Sequence, residues 1–323
     1  MKRNAPRVME FALLLVAVTS ICFGVLKLLP GDPVTTILGN GASDPARVEQ
    51  LTKDLGLDRP VVVQYLSWLV NVAHGNFGRL YNGGSGQTVR ALLVQDLPVT
   101  AELAGLACTI ALGIAIPLGL IAGHRPGGVW DRLVAVVLSV VLCMPAYVIG
   151  PLLIVAIGLR LQLLPVGQVP SWSDGAGDHL RSLVLPATTL ALGQIPQWTR
   201  LLRAGLQPTL RENFITFARS KGLPSGYVLS RHALRPSSIP LMSVVGVQIG
   251  TLLTGAVVVE RLFNVHGLGF LLATGIAGRE YVLVLGVVTV LCIAVVVLTL
   301  LAELLLLWID PRLRSSASRV TQI

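Results

Sequence analysis

The stretch YVLVLGVVTVLCIAVVVLTLLA, residues 281–302, contains no charged side chain, and it fixes the class of the whole chain. About 20 apolar residues in a helix cover a bilayer core of about 30 Å. Backbone in lipid must satisfy its own hydrogen bonds, so such a run has to be helical. Similar runs recur, and spans are placed at 8–29, 98–122, 133–157, 183–205, 239–260 and 281–308. Composition agrees: 53% of residues are hydrophobic and 13% charged, with a mean hydropathy of +0.75. An all-α membrane protein with six transmembrane helices is expected. A formal charge of +9 would suggest nucleic acid in a soluble protein. Here Lys and Arg gather in short loops, as orientation signals do, so the expected partner is the lipid bilayer and no nucleic acid.

Orientation follows from those cations. Fifteen lie at the two ends, in the loop after the second span, and at or beyond the inner end of the fourth, against four (Arg160, Arg181, Arg261 and Arg279) in the two short loops opposite. The rule puts the richer side, with both termini, in the cytoplasm. Lys27 falls at the outer end of the first span, where its stem can snorkel. The N-terminal MKRNAPRVMEFALLLVAVTSICFGVLKLLP could be taken for a signal peptide, but its apolar core is long and no A-x-A site follows. An uncleaved first span fits better. Cys22, Cys108, Cys143 and Cys292 sit in four different apolar runs, without a second Cys or a His at ligand spacing. They read as small hydrophobes rather than a disulfide or zinc framework.

The segments divide as 1–29, cytoplasmic N-terminus and first span; 30–97, a small extracytoplasmic helical insertion; 98–308, a five-span core; and 309–323, a cytoplasmic tail. In the insertion, SDPARVEQLTKDLG predicts a helix with Asp44 as N-cap, Pro45 first inside and Gly56 past its end. A second helix is predicted in LDRPVVVQYLSWLVNVAHG, with Asp58 as a second cap candidate. Its stripe is Val62, Tyr65, Leu66, Leu69 and Val72, with Trp68 beside it. YNGGSGQ reads as a flexible turn.

Catalytic signatures are missing. The sequence has no G-x-x-x-x-G-K-[ST] loop, G-x-S-x-G elbow or H-E-x-x-H pair. HGLGF at 266–270 lacks the strand context of a dinucleotide site, and the five histidines are scattered. The acids of the spans, Glu10, Glu102, Glu260 and Glu303, lie near predicted span ends and read as capped or paired interfacial carboxylates. No enzyme activity, cofactor or metal site is expected in this chain. A membrane-embedded enzyme would need an ionisable pair in mid-span, and a membrane scaffold would leave the cationic segment described next without a purpose. Small residues four apart, Gly119 with Gly123 and Gly246 with Gly250, predict close helix approach. The second pair shares its helix with Gln248, Thr251 and Thr254, a polar face suited to lining a wet pathway.

Residues 213–240, NFITFARSKGLPSGYVLSRHALRPSSIP, carry Arg219, Lys221, Arg231, His232 and Arg235 with no acid. A short helix is predicted, closed by Gly222 and barred by Pro224. Phe214, Phe217 and Ala218 mark one apolar face; Arg219 and Lys221 point elsewhere. A basic amphipathic helix lying on anionic lipid is the plainer reading, but the segment is short and firmly punctuated, and its aromatics suit a partner's pocket.

These residues resemble the coupling segment, or EAA loop, of ABC importer permeases, and more closely the dipeptide/oligopeptide/nickel branch. That branch runs roughly D-Y-x-x-x-A-R-x-K-G-L and continues to R-H-A-L-R, where this chain has NFITFARSKGL and SRHALRPSSIP. The resemblance continues through LPGDPV (29–34), LGLDRPVVVQYLSWL (55–69), GNFGR (75–79), LPVTAELA (97–104), LVLPATTLAL (183–192), the segment 255–281 and DPRLR (310–314). Phe214 and Asn213 depart from the branch's Tyr and Asp.

The resemblance implies the type I ABC importer permease fold in a bacterial plasma (inner) membrane. It implies a coupling helix at about 213–223 that docks on one of two ATP-binding subunits, where ATP and Mg act. Phe214 and Phe217 would anchor it, Ala218 would share their face, Arg219 and Lys221 would orient it, and Gly222 would permit its exit. A homologous second permease subunit would complete the pathway, and an extracytoplasmic substrate-binding protein would deliver cargo. Peptides are the expected cargo, with nickel, a metallophore or glutathione as alternatives.

Overall fold

The computed structural model describes residues 5–28, 44–54, 56–80 and 87–309, with Val34 and Leu38. Its regular structure is helical apart from one isolated antiparallel bridge between Arg79 and Thr88. In chain order the helices are α1 (Ala5–Leu28), α2 (Pro45–Asp54), α3 (Val61–Ala73), α4 (Val89–His124), α5 (Val129–Cys143), α6 (Ala146–Leu153), α7 (Ala176–Leu192), α8 (Ile195–Thr209), α9 (Asn213–Ser220), α10 (Ile239–Phe263), α11 (Leu268–Ala277) and α12 (Tyr281–Ile309). Wide π turns prolong α6 (Ile154–Arg160) and interrupt the helical stretch 225–237 (Val228–Ala233).

Among the described residues, three helices are long and apolar enough to cross a membrane: α4, α10 and the part of α12 from Tyr281 to Ala302. Two expected spans are not single helices. The run 133–157 is α5 and α6, bent by 101°. Pro145 is the cause: the residue before a proline is pushed out of the helical region, and Met144 has φ −100° and ψ 113°. The run 183–205 is α7 and α8, broken at Gly193 and Gln194 with Pro196 in the first turn of α8, where its missing N–H is harmless. Both signals stood in the sequence, but average hydropathy passes over them.

The chain folds as two compact units. The first comprises Met1–Ala101 and Val265–Val296. Its helix α2 has the expected ends: Ala46 N–H donates to Asp44 Oδ1 at 3.0 Å, and Gly56 has φ +62°. Asp58 does not cap α3; Pro60 holds that position, with no side-chain cap. The expected stripe of α3 divides among neighbours. Tyr65 O–H reaches Thr19 Oγ1 at 2.9 Å and the Val16 carbonyl at 3.1 Å, and its ring stacks with Trp68. Val62 and Leu66 are exposed instead. The turn at 81–86 lies outside the described residues. The core joins Val89 and Leu93 of α4 to Leu268 and Leu271 of α11 and to Leu283 and Val287 of α12. The buried Thr100 hydroxyl accepts the Leu268 N–H at 2.8 Å, satisfying one of the donors that a helix N-terminus leaves open.

The second unit comprises Glu102–Asn264 and Val297–Ile323. Its spine is α8, whose Trp198, Leu202 and Leu206 are each fully buried at one-turn spacing. Gly119 and Gly123 of α4 sit directly on that row: an added Cβ would lie 2.9 Å from Leu202 and 2.7 Å from Leu206. At Gly246 of α10 an added Cβ would lie 2.5 Å from that of Ala302. The small-residue patterns thus mark close helix approach, which is how helices gain contact without a hydrophobic driving force.

Candidate coupling site and pathway face

Helix α9 follows from α8 through a short turn. Ile215 and Thr216 donate their N–H groups to the Glu212 carbonyl, and Glu212 supplies an extended backbone without a side-chain cap. Two residues one turn apart face inward. Ile215, fully buried, and Ala218 join Leu206 of α8 with Val228 and Ala233 beyond. Phe214 and Phe217 face outward, 45% and 62% exposed. The expected face of Phe214, Phe217 and Ala218 therefore divides: Ala218 belongs with Ile215 on the inner side, because positions 215 and 218 share the row that reaches α8.

Arg219 and Lys221 are exposed, and Lys221 does not point away from the aromatics as expected. Its ammonium lies 4.6 Å from the centroid of the Phe217 ring, a cation–π arrangement. Gly222 has φ +77° with open space around it, so its side-chain-free backbone, and no close neighbour, is what the position requires. The exposed surface of α9 carries two aromatic rings with a cationic rim, beside Asn213, Thr216 and Ser220, on a base anchored to the spine of the unit.

The polar face of α10 is largely committed to helix contacts. Gln248 Oε1 accepts the N–H of the fully buried Trp198 indole, and Gln194 donates to Thr251 Oγ1 at 3.5 Å. Thr251 and Thr254 donate their hydroxyls to the carbonyls of Gln248 and Gly250 and are exposed. Gln248 joins α10 to α8, and the two threonines keep an accessible polar edge.

Further contacts hold the unit together. Arg203 of α8 makes a two-pronged bond to Asp131 of α5, 2.6 Å from Nε and 2.8 Å from Nη2, and the Gly127 N–H adds a third donor to that carboxylate at 2.8 Å. His179 is buried; its Nδ1–H donates to the Pro170 carbonyl at 2.7 Å and its Nε2 meets Glu102 at 2.7 Å. The Trp172 indole N–H donates to the other Glu102 oxygen at 2.9 Å. Glu102 is thus a paired carboxylate, as expected, and Glu260 is fully buried. The side chains of Glu10 and Glu303 lie outside the described residues. No group of three metal-ligating side chains occurs among the described residues.

Residues 115–315 match the family described as binding-protein-dependent transport system inner membrane component, and residues 3–104 match its N-terminal companion. The chain belongs to this family. It is therefore an inner-membrane transport component. A Brucella abortus protein named as a peptide transport system permease is 35% identical over 309 residues, 95% of this chain and 97% of that one. The oligopeptide transport system permease OppB of Salmonella typhimurium is 32% identical over 295 residues, 91% and 93% of the two chains. A chain of the MetNI methionine ABC transporter, in an inward-facing conformation, superposes with a TM-score of 0.55 at 17% identity, covering 68% of this chain and 96% of that one. That likeness is one of fold.

Sequence reasoning missed the Asp131–Arg203 and Glu102–His179 pairs and the role of Trp198 in fixing Gln248. Each joins residues 50 to 77 positions apart, and no local pattern announces them. An acid in the first turn of an apolar helix was the one available hint for Asp131.

Proposed function

We propose that this chain is one of two membrane subunits of an ABC importer for peptides, and that α9 is the handle by which a separate ATPase subunit moves it. The observation that carries the reading is the two-sided character of α9. Phe214 and Phe217 stand in the open, as aromatic anchors for a partner's pocket do. Ile215 and Ala218 meanwhile fix the helix to α8 through Leu206. A pull on the outer face is passed to α8, and through Gly119, Gly123, Arg203 and Trp198 to α4, α5 and α10.

In this reading the bent pair α5–α6 and the broken pair α7–α8 each count as one crossing, giving six spans. Both termini and α9 are cytoplasmic, and 30–97 lies outside. ATP and Mg act in two partner subunits, a second, homologous permease supplies the other half of the pathway, and an external binding protein delivers cargo. ATP-driven closure of the ATPases rocks the helices and opens the pathway to each side in turn. Thr251 and Thr254, with Gln248 beside them, form its polar edge. Arg219 and Lys221 orient α9 on the ATPase, and Gly222 lets the chain leave sharply. Relatives named for peptide and oligopeptide transport, in Brucella abortus, Sinorhizobium fredii and Salmonella typhimurium, support peptides as the cargo.

The test is ATP hydrolysis by the reconstituted complex with loaded binding protein, across di- to pentapeptides, glutathione, and nickel with or without a chelator. Stimulation by peptides is expected. A response to nickel or glutathione alone would keep the machine and overturn the cargo; failure of any ATPase to associate with the chain would overturn the role of α9.

A further inference from the structure

Within the first unit, the loop after α2, one side of α3 and the strand-like stretch 76–79 enclose an open cavity of about 310 Å³. Three cations line it, Lys53, Arg59 and Arg79, together with the amides of Gln64, Asn71 and Asn76. No carboxylate lines it among the described residues. Lys53 has an exposed ion pair with Glu49 at 2.6 Å, a contact of little energetic weight. The walls are fixed. Gln64 Nε2 donates to the carbonyls of Leu57 and Arg59 at 3.1 and 2.7 Å, which holds the backbone that carries Arg59. Asn76 Oδ1 accepts the Gly78 N–H at 3.1 Å, which leaves its amide donors free to turn inward. Gly78, at φ +87°, lies against α12 so closely that a Cβ would fall 2.5 Å from Val282.

The side of α3 that lines the cavity distinguishes among anions. Helix α3 has three faces. Tyr65 turns to α1, and Trp68 packs on the cluster of Leu26, Val284 and Leu285 while also lining the cavity; Val62, Leu66 and Val70 are exposed, at 68%, 53% and 57%; Gln64, Ser67 and Asn71 line the cavity. The exposed apolar face is the one lipid would cover, and Gln64 and Asn71, which line the cavity, lie on roughly the opposite side of the helix. The rim cations are long and exposed, suited to closing around an inserted group rather than to enclosing a small molecule.

We propose that this pocket receives an acidic side chain, Asp or Glu, from a protein docking on the first unit. On the importer reading above, on which this rests, that protein is the cargo-binding protein. Guanidinium forks and the amide donors of Asn71 and Asn76 match a planar carboxylate, and a cationic rim accelerates the approach of an acidic surface.

The experiment uses the whole complex in nanodiscs and, as probe, the purified binding protein that stimulates the wild-type complex. Association rates are measured at about 50 mM and about 1 M salt, where the Debye length is only about 3 Å. Arg59→Glu with Arg79→Glu should slow association at least tenfold at low salt, with the difference collapsing at high salt. Arg59→Gln with Arg79→Gln should act in the same direction less strongly. Unchanged elution and basal ATP hydrolysis show that the variants fold, and an acid-to-Arg change on the partner should restore the charge-reversed complex. Equal association rates for wild type and both variants would overturn the proposal. Loss of free tri-alanine binding with docking intact would make the occupant a peptide carboxylate and overturn it. A changed requirement for anionic lipid with docking intact would do the same in favour of a headgroup. If no binding protein stimulates the wild-type complex, the importer reading itself fails, and the proposal with it.

Discussion

Removing Arg203 should harm the protein more than removing its partner. The pair is unequal in exposure: the Asp131 side chain is 6% accessible and that of Arg203 36%. Arg203→Met leaves a buried carboxylate with one hydrogen bond, from the Gly127 N–H, and the more distant charge of Arg132. Breaking a buried pair in this way costs about 3–5 kcal/mol. The partial exposure of Arg203, which lets water reach the site, places the expected cost near the lower end, about 3 kcal/mol. Asp131→Asn instead leaves a guanidinium that can turn to solvent, and its amide oxygen can still accept from Gly127. The loss is then that of a charge-assisted hydrogen bond, about 1.5 kcal/mol. The difference of about 1.5 kcal/mol is roughly tenfold in the folding equilibrium constant. Equilibrium unfolding of the purified full chain in mixed micelles measures it. The double variant Asp131→Leu with Arg203→Met should be more stable than Arg203→Met alone, because no charge is left buried. An Asp131→Asn cost equal to that of Arg203→Met, or a double variant as unstable as the sum of the singles, would refute the reasoning.

Three further outcomes are expected. Phe217→Asp should abolish uptake and loosen ATPase association with little effect on folding, since the ring is exposed in this chain and the charge would be buried only in the partner's pocket, at several kcal/mol; co-purification of the ATPase at wild-type level would count against α9 as the docking element. Gly246→Ala should destabilise by about 1–3 kcal/mol through overpacking, because its Cβ would stand 2.5 Å from that of Ala302, and Ala302→Gly should restore most of the loss in the same unfolding assay. Gly222→Ala should cost about 1–2 kcal/mol from backbone strain alone, as φ is +77° and no atom lies near; unchanged stability would mean that the exit from α9 can be remade.

Much of this molecule was legible because the signals were local. A helix is bounded by residues a few positions apart, so Asp44, Pro45 and Gly56 announced the ends of α2, and Gly222 with Pro224 announced the end of α9. Apolar runs announced α4, α10 and α12. The breaks at Pro145 and at Gly193–Pro196 were equally local, but a hydropathy window averages across them. Asp58 misled because an acid before an apolar run looks like a cap, while the proline two residues later already fixes the helix start. On α9 the periodicity was visible, yet it could not say which of two adjacent faces turns inward.

By itself, then, the sequence determined an all-helical membrane chain, the places where its helices stop, the family it belongs to and the existence of α9. Those depend on composition, on the 3.6-residue period and on glycine and proline geometry, all of which act within a turn or two. Tertiary structure decided which side chains face each other: that Ala218 is anchored inside while Phe217 stands out under Lys221, that Gln248 is held by Trp198, and that Asp131 and Arg203, 72 positions apart, close on one another. Such pairings depend on how helices are brought together, and a carboxylate in the first turn of a helix looks the same in sequence whether it meets water or an arginine.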